Sequence, residues 1–556
     1  MLKKKWYKRW WFILLAALVV LFGSGVIYLY CVAIVYPPDV ADKSALQLQR
    51  TETSPGFYTI GNNWFRKSKS GLFEMYTEGK PFERGVINGK LSRELVVRQE
   101  DHFNEQIRKM IPSDFYLNFL KYFVGWFNRH LAENVTEEDK IEIYGISESA
   151  SDKYQYIGSN YQRILNYHAA HDIGHALQSM ALVGCTSFAT WGARSENGTL
   201  IAGRNFDFYV GDKFAEDKIV AFEKPEQGYK FMTVTWGGFI GAVSGMNEKG
   251  LAVTINADKS GIPSASATPV SLVAREILQY AKNISEAYKI AAGRKMFVSE
   301  SFLISSGEDH KSVVIEKTPD TLDLYDSEKN FIVCTNHFQS NGLKATLPNK
   351  EQIDQSASSD RYERVLELLN NIDTNTVEKT AALLRDQGGL ANADIGMGNE
   401  KAVNQLIAHH SIIFEPEKLR VWVSTSPWQL GPYVSYDLDK IFSMNGMKSD
   451  QEIIDDSLNV AADPFLATDA FRNFVEFRKE GLILKSDGNV DLDQFIALNP
   501  NYYHTYVLAG DYSFRKKDFE KAKVYFEMAL TKVVATKKEE LYIQAQIEKC
   551  KKKKNS

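Results

Sequence analysis

Cysteine is scarce in this chain, with four residues of that type among 556. Cys31, Cys185, Cys334 and Cys550 show no C-x-x-C spacing, which argues against a disulfide framework and against a thiolate metal site. An excess of basic charge is also lacking, because the formal net charge is −4, so nothing indicates a nucleic-acid partner. We therefore expect neither a metal nor another cofactor.

Histidine is sparse too, but three of the ten histidines cluster in the segment YHAAHDIGH at 167–175. On a helix, His168, His171 and His175 would share one face and could bind a metal. The H-E-x-x-H motif of zinc enzymes does not occur, and the chemistry inferred below needs no ion. We favour the alternative, a hydrogen-bonded polar face close to a cleavage point.

One long hydrophobic run is present, at 12–35, and it contains no charged residue. Its length suits a helix that crosses a bilayer. The basic segment KKKWYKR at 3–9 is expected to stay in the cytoplasm, which places residues from 40 onward outside it. A cleaved signal peptide is the alternative, although the run exceeds a typical signal core and lacks a clean small-x-small site. We favour a single membrane anchor over 1–40.

The rest of the chain divides into three parts by composition and periodicity. Residues 41–184 are mixed and helix-rich, 185–435 carry most of the strand patterns, and 450–556 are helical and charged. Runs of strands with grouped helices predict an α+β fold in which helices pack on antiparallel sheets. The C-terminal part has the spacing of one tetratricopeptide-like repeat, too little to be stable alone, so we expect it to dock on the main body.

Individual elements follow from alternating and helical patterns. Strands are predicted at 218–222, 231–236, 251–255, 301–305, 312–316 and 419–424. Helices are predicted at 101–131, 163–180, 271–282, 285–292 and 361–371. The segment EGKPFERG at 78–85 is predicted to be a loop that leads into a strand.

Cys185 begins the most informative stretch. A strand-like run follows it, then a turn at Asn197–Gly198, a second apolar run and the segment GRNFD at 203–207. A cut between Gly184 and Cys185 would give the thiol its own α-amine, whose pKa of about 8 suits a general base at neutral pH. Glycine before the thiol permits the strained backbone that such a cut requires. The competing interpretation is a buried structural cysteine.

Several motifs in order resemble the N-terminal nucleophile amide hydrolases. This superfamily includes the bile-salt hydrolase and penicillin V acylase group, acid ceramidase, and the fungal acyltransferase that completes penicillin. The motifs are CTS at 185–187, GRNFD at 203–207, GMNEKGL at 245–251, TIN at 254–256, TN at 335–336 and SSDRYER at 358–364. The resemblance covers about 185–435, and EGKPFERG at 78–85 favours the acyltransferase branch, with acid ceramidase close behind.

The resemblance implies a four-layer αββα sandwich of antiparallel sheets and self-cleavage between Gly184 and Cys185. It makes Cys185 the nucleophile, Arg204 the cation that stabilises its thiolate, and Asp207 the group that binds the new α-amine. In this branch a long segment precedes the cysteine, so 41–184 would remain in the fold as the smaller chain.

The remaining implied roles concern the carbonyl oxygen of the substrate. The backbone N–H of Asn256 and the side-chain amide of Asn336 would form an oxyanion hole, and Arg361 would support the site electrostatically. The alternatives are ordinary turn residues at both asparagines and a surface charge at the start of a helix for Arg361.

These inferences predict an amide hydrolase that works through a thioester acyl-enzyme on Cys185. Its partner would be a small N-acyl amide or acyl thioester. Trp236, Phe239 and Ile240 are candidates to line an apolar acyl pocket, and core packing is the favoured alternative for at least some of them. An acyltransferase, in which an amine replaces water, is the close alternative. An unprocessed, membrane-tethered scaffold is an alternative of another class.

Overall fold

The computed structural model describes residues 4–111, 113–170, 172, 184–209, 211–259, 261, 263 and 265–554. Its described strands are β1 Thr51–Ser54, β2 Phe57–Ile60, β3 Asn63–Lys67, β4 Phe73–Gly79, β5 Thr186–Thr190, β6 Ile201–Phe206, β7 Ile219–Pro225, β8 Phe231–Thr235, β9 Ser244–Asn247, β10 Leu251–Asp258, β11 Ser299–Ser306, β12 Lys311–Lys317, β13 Leu322–Tyr325, β14 Phe331–Cys334, β15 His410–Glu415, β16 Arg420–Ser424 and β17 Tyr433–Asp437.

The α-helices complete the described elements. They are α1 Lys4–Ala33, α2 Pro81–Leu91, α3 Arg93–Met110, α4 Asp114–Phe127, α5 Leu131–Asn134, α6 Glu137–Ser147, α7 Asn160–His168, α8 Asp212–Glu216, α9 Val270–Tyr280, α10 Ile284–Gly293, α11 Leu347–Gln355, α12 Ser358–Asn370, α13 Val377–Leu384, α14 Leu438–Ser443, α15 Asp469–Lys485, α16 Leu492–Leu498, α17 Tyr503–Arg515, α18 Phe519–Ala529 and α19 Lys537–Lys554.

The predicted elements of 185–435 are confirmed, with ends that shift by a few residues. The prediction at 78–85 is wrong, because the strand β4 comes first and leads into helix α2. Pro81 occupies the first turn of α2, where its fixed φ suits a helix and its missing N–H costs nothing. The predicted helix at 101–131 is divided between α3, α4 and α5. Only the start of the helix predicted at 163–180 is described, as α7, and 173–183 lie outside the described residues.

Two sheets form the centre of the fold. The larger has eleven strands in the order β1-β2-β3-β4-β7-β8-β9-β10-β11-β12-β13, and the smaller has six in the order β14-β5-β6-β15-β16-β17. All described neighbours are antiparallel except β4 and β7, which are parallel. The mixed α+β prediction agrees with this architecture.

Apolar side chains from both sheets meet in one hydrophobic cluster, which includes Val220 and Met232 of the larger sheet and Ile412 and Val423 of the smaller. A second cluster joins α9 to β10, β11 and β12 of the larger sheet. A third joins α12 and α13 to β5, β6, β15 and β16 of the smaller sheet. Because strand side chains alternate between faces, each sheet buries apolar groups on both sides.

Residues 41–184 are built into the same core. Strands β1 to β4 extend the larger sheet, and β4 pairs with β7 from Phe73 opposite Ile219 to Gly79 opposite Pro225. Behind the sheet, Glu142 of α6 accepts hydrogen bonds from both Arg84 of α2 and Arg275 of α9, and all three side chains are buried. Sheet pairing and a buried ion cluster therefore join the two sides of the predicted cleavage point.

The C-terminal helices dock on the loop that precedes β15. Arg478 of α15 donates to the carbonyl oxygen of Leu406 at 3.1 Å and to both carboxylate oxygens of Asp212 at 2.6 and 2.7 Å. Tyr502 packs against Gly396 of the same loop, where a Cβ would come within 2.3 Å of its backbone nitrogen. Helices α17 and α18 pack together closely at Gly510 and Phe526.

Within the described residues, one helix is long and apolar enough to cross a membrane, over Trp10–Ala33, with a mean hydropathy of 2.6. A signal sequence would satisfy the same criteria.

Candidate active site

A β-hairpin brings Cys185 and Arg204 together. Cys185 precedes β5 directly, and β5 pairs with β6 so that Ser187 lies opposite Arg204. In the connection between Thr190 and Ile201, Asn197 and Gly198 have φ angles of 55° and 73°, the left-handed conformation that asparagine and glycine adopt in turns. The Arg204 Nη2 atom lies 3.6 Å from the Cys185 Sγ atom, and both residues are almost fully buried.

Backbone carbonyls hold the Arg204 guanidinium in place. Its Nη1 atom donates to the Val243 carbonyl at 2.5 Å and to the Ser244 hydroxyl, and its Nη2 atom donates to the Ile255 carbonyl. These acceptors come from the larger sheet, whereas Arg204 belongs to the smaller one. The guanidinium group is therefore fixed at the junction of the two sheets, and its Nη2 atom also contacts the thiol.

The electrostatics of Cys185 combine two opposed effects. Burial raises the pKa of the thiol, and the Arg204 guanidinium lowers it. Burial away from water dominates in the intact chain, so the thiol is mainly protonated at neutral pH. Arg204 stabilises the thiolate once the proton has left.

Asp207 follows β6 and is completely buried. Its backbone carbonyl accepts the Gly184 N–H at 3.0 Å, which places its side chain beside the predicted scissile bond. The Oδ1 atom finds no hydrogen-bond partner among the described residues. Burial raises the pKa of this carboxyl group to about 7, although Arg361 and Arg204 lower it. An acceptor without a donor fits the binding of an ammonium group formed nearby.

The raised pKa of Asp207 predicts a pH-dependent stability. Between its ordinary pKa of 3.8 and about 7, the folded chain holds a proton that the unfolded chain has lost. Stability therefore falls as pH rises through this window, by up to about 1.4 kcal/mol per pH unit. Asp207→Asn, made in an uncut Cys185→Ala chain, removes the effect. Denaturant unfolding from pH 4 to 7 should show the Asn chain gaining stability relative to its parent, and parallel curves would contradict the assignment.

Asn256 and Asn336 lie side by side beneath the hairpin. The Asn256 side chain accepts from the Ser187 hydroxyl at 2.7 Å and donates to the Cys334 and Thr335 carbonyls at 3.0 Å each. The Asn336 side chain donates to the Ala257 carbonyl at 2.8 Å. An amide nitrogen has two N–H groups, so Asn336 keeps one donor for a further acceptor.

Arg361 lies in the first turn of α12, and its side chain extends into the same region. It is buried, so the alternative of a surface charge is wrong. Its Nη2 atom donates to the Asn336 Oδ1 atom at 2.6 Å, and its Nη1 atom donates to the Glu400 carbonyl at 2.9 Å. Burial lowers its pKa, and the charges of Asp207 and Cys185 raise it. The six side chains predicted from the sequence thus converge on one buried region.

Sequence analysis missed other polar residues in this region. The Asn205 side chain donates to the carbonyls of Leu384 and Val403 at 2.8 and 3.0 Å and so ties the loop before β15 to the hairpin. The Gln405 side chain on that loop contacts the Gly184 carbonyl. No spacing in the sequence indicates either contact, because both depend on how a distant loop folds over the sheet.

An aromatic cavity lies beside this region, and Trp236 and Phe239 line it as well as packing in a core cluster, so their role in an acyl pocket stays a prediction. The other aromatic side chains that line it are Phe103, Tyr167, Phe208 and Phe214. Ile240 does not line the cavity and packs in a separate core cluster, as the core-packing alternative predicts. Its N–H donates to the His168 Nε2 atom at 2.9 Å.

His168 is a buried, hydrogen-bonded residue. Its Nδ1 atom contacts the Ile164 carbonyl at 2.8 Å, and burial lowers its pKa to about 4. With both ring nitrogens engaged, it has no lone pair left for a metal. His171 and His175 lie outside the described residues.

Residues 193–426 match the family model described as acyl-coenzyme A:6-aminopenicillanic acid acyl-transferase. The chain is similar to this acyltransferase family over its central region. The resemblance inferred from the motifs is thereby confirmed, and the match supports an enzyme of the amide hydrolase or acyltransferase kind. It begins after Cys185, so Arg204, Asp207, Asn256, Asn336 and Arg361 lie inside the match, whereas the thiol and its preceding glycine lie outside it.

Two curated relatives match less than half of this chain. An uncharacterized protein of Archaeoglobus fulgidus is 24% identical over 272 residues, which are 45% of this chain and 44% of that protein. Protein dcd1B of Dictyostelium discoideum is 23% identical over 276 residues, which are 46% of this chain and 52% of that protein. The chain thus spans about half the length of the curated relatives it matches.

Two solved structures match part of this chain. The Caenorhabditis elegans N-acylethanolamine-hydrolyzing acid amidase ortholog is 19% identical and covers 42% of this chain and 93% of its own, with a TM-score of 0.31. A mutant of the conjugated bile acid hydrolase from Clostridium perfringens is 15% identical and covers 49% and 95%, also with a TM-score of 0.31.

Proposed function

We propose that this protein is a self-cleaving cysteine hydrolase that cleaves the amide bond of N-acyl substrates through a thioester on Cys185. The observation that carries the proposal is the position of the Arg204 guanidinium, 3.6 Å from a buried thiol that follows a glycine. This cation is held by acceptors from the other sheet, and it forms no ion pair with a carboxylate among the described residues. Its geometry suits the stabilisation of a thiolate.

In the processed chain, Cys185 would be the first residue and its α-amine would take the thiol proton. Asp207 would bind the resulting ammonium through its Oδ1 atom. The thiolate attacks the substrate carbonyl carbon, and the Asn256 N–H and the remaining Asn336 N–H receive the developing oxyanion. The amine then leaves with the proton, and water hydrolyses the thioester.

The acyl group of the substrate would enter the aromatic cavity of Trp236 and Phe239, which holds about 50 Å³ of free space and would widen to receive it. Its lining favours an apolar acyl chain or ring. Water and amines are rival acceptors for the thioester, and the family match includes acyl transfer. Product analysis with and without an added amine distinguishes the two: free acid alone indicates hydrolysis, whereas a new amide indicates transfer.

The surrounding fold would be a four-layer αββα sandwich, with α9 and α10 outside the larger sheet and α12 and α13 outside the smaller one. Residues 1–40 would form a cytoplasmic flank and anchor, 41–184 the smaller chain, 185–435 the catalytic domain, and 450–556 a helical extension with one tetratricopeptide-like repeat. The uncharged helix Trp10–Ala33 and the basic residues before it favour a catalytic domain outside the cytoplasm.

Intact-mass analysis with N-terminal sequencing of the larger fragment tests the proposal. The expected result is two fragments, about one third and two thirds of the 63.0 kDa chain, with Cys185 first in the larger one. A folded chain that stays in one piece, with a thiol at 185 that does not react with alkylating reagents, would instead support the membrane-tethered scaffold.

The fragments should remain associated after the cut. The pairing of β4 with β7 and the Arg84–Glu142–Arg275 cluster cross the cleavage point, so native size-exclusion chromatography should show one species where a denaturing gel shows two. Arg275→Met leaves the Glu142 carboxylate short of a buried partner and should lower the free energy of unfolding by about 3–5 kcal/mol.

Arg294→Met is the matched control for Arg275→Met, because Arg294 pairs with Glu276 nearer the surface and within the larger fragment. Its loss should cost about 1 kcal/mol or less. Equal effects of the two substitutions, or fragments that separate without denaturant, would contradict this account.

A further inference from the structure

A buried glutamine contacts the carbonyl group that self-cleavage must attack. The Gln405 Nε2 atom donates to the Gly184 carbonyl oxygen at 2.7 Å and lies 3.4 Å from the Asp207 Oδ2 atom. Its side chain is only 3% exposed. The two N–H groups of one amide thus face the predicted scissile carbonyl and the predicted ammonium-binding carboxylate.

Gly184 makes this contact possible. A Cβ at position 184 would lie 2.5 Å from the Gln405 Nε2 atom and 2.7 Å from its Oε1 atom. No positive φ is found at Gly184, although several other described glycines have one. Glycine is therefore needed here for the close approach of an amide, and the backbone strain predicted from the sequence is not observed.

The loop that carries Gln405 is held on both sides of the residue. The Asn404 backbone N–H donates to the Asp386 carbonyl at 2.8 Å, and the Asn404 side chain accepts the Leu406 N–H at 2.9 Å. Leu406 has a φ of 54°, a conformation that costs energy for a branched side chain. Arg478 of the docked C-terminal helices binds the Leu406 carbonyl. The amide is thus fixed before any reaction.

We propose that Gln405 is the oxyanion donor for self-cleavage, a role separate from the asparagine donors assigned to substrate turnover. This inference rests on the proposed function, because it requires that Gly184–Cys185 is the bond that is cut. A fixed donor on the attacked carbonyl oxygen gains strength as negative charge develops there, in a site that excludes water. The geometry meets that condition, since Nε2 already lies at hydrogen-bond distance.

The step balances without any further reagent except water. The Cys185 sulfur bonds to the Gly184 carbonyl carbon, and the carbonyl electrons move to the oxygen that Gln405 holds. The C–N bond then breaks, and the thiol proton ends on the Cys185 nitrogen, which becomes the α-amine. Water hydrolyses the resulting thioester, which releases the Gly184 carboxylate and restores the thiol.

Cell-free synthesis of the full chain in the presence of lipid nanodiscs, followed over time on denaturing gels, tests the proposal. Gln405→Leu removes both donors at similar volume and should slow cleavage by about 100-fold or more. The matched control is Gln429→Leu, since Gln429 is equally buried and also donates to a backbone carbonyl, that of Leu384 at 3.4 Å. That chain should cleave within about threefold of the natural rate.

Gln405→Glu adds a readout that a purely structural role would not change. A carboxyl group beside the Gly184 carbonyl donates only when it is protonated. Cleavage of this variant should therefore slow, relative to the natural chain, as pH rises from about 5 to 8. A pH profile parallel to that of the natural chain would overturn the proposal.

Gly184→Ala breaks the same hydrogen bond without altering Gln405, because the new Cβ at position 184 displaces the Gln405 side-chain amide. If Gln405 acts as proposed, Gly184→Ala slows cleavage strongly in the natural chain and adds little in the Gln405→Leu chain. If Gln405→Leu folds poorly, the pH profile of Gln405→Glu and the rate of Gly184→Ala in the natural chain decide the matter. A natural chain that is never cut removes the proposed function and this inference together. A natural chain that is cut, with Gln405→Leu equally fast, overturns the inference alone.

Discussion

Cys185→Ala is expected to leave the chain in one piece and to lower amide hydrolysis by at least about 1,000-fold. The substitution removes the only sulfur that Arg204 contacts among the described residues. Loss of a nucleophile removes the covalent pathway and leaves only the contributions of binding and of the oxyanion donors. Denaturing gels measure the cut, and release of free amine from N-acyl substrates measures the activity.

Cys334→Ala is the matched control for that experiment. Cys334 ends β14, beside β5, and is as deeply buried as Cys185. Its thiol contacts the Thr335 carbonyl at 3.8 Å and no described cation. We expect a modest loss of stability with the cut and the activity retained. Hydrolysis by the Cys185→Ala chain, or loss of cleavage only in the Cys334→Ala chain, would contradict the assignment of Cys185 as the nucleophile.

Arg204→Met is expected to impair both the chemistry and the fold. The thiolate loses its neighbouring cation, so the pKa of the Cys185 thiol should rise further and alkylation at neutral pH should slow by about tenfold or more. The Ile255 carbonyl also loses this donor, at a cost of about 1–3 kcal/mol, whereas the Val243 carbonyl keeps the Ile255 N–H as its donor. The pH dependence of alkylation and denaturant unfolding measure the two effects separately.

Arg204→Lys separates charge from geometry. Lysine keeps a cation beside the thiol but cannot reach several acceptors with a planar fork. Its alkylation profile should lie between those of the natural chain and Arg204→Met. Arg194→Met is a suitable control, because Arg194 lies on the same hairpin and donates to a backbone carbonyl, that of Leu369, away from the thiol. Equal alkylation rates for Arg204→Met and Arg194→Met would contradict the role of Arg204.

The hairpin that carries Cys185, Arg204 and Asp207 was accessible from the sequence. Two apolar runs flank Asn197–Gly198, and an antiparallel pair of strands about that turn must bring the ends of the runs together. The strands of 185–435 could also be predicted, because the alternation of apolar and polar residues is a local pattern in the sequence. The prediction for 78–85 was wrong because Pro81 begins a helix there. The glycines on either side of Pro81 favoured a loop instead.

The rest of the site depends on contacts between distant segments. Gln405 reaches Gly184 across 221 positions of sequence, and Arg275 reaches Glu142 across 133. No periodicity links such residues. Their meeting depends on how the two sheets stack and on how the loop before β15 is held by the C-terminal helices. The sequence by itself determined which residues meet in the candidate site and that the Cys185 thiol lies next to an arginine. Only the tertiary structure decided which donor holds the Gly184 carbonyl, because that contact results from the packing of distant segments rather than from local order.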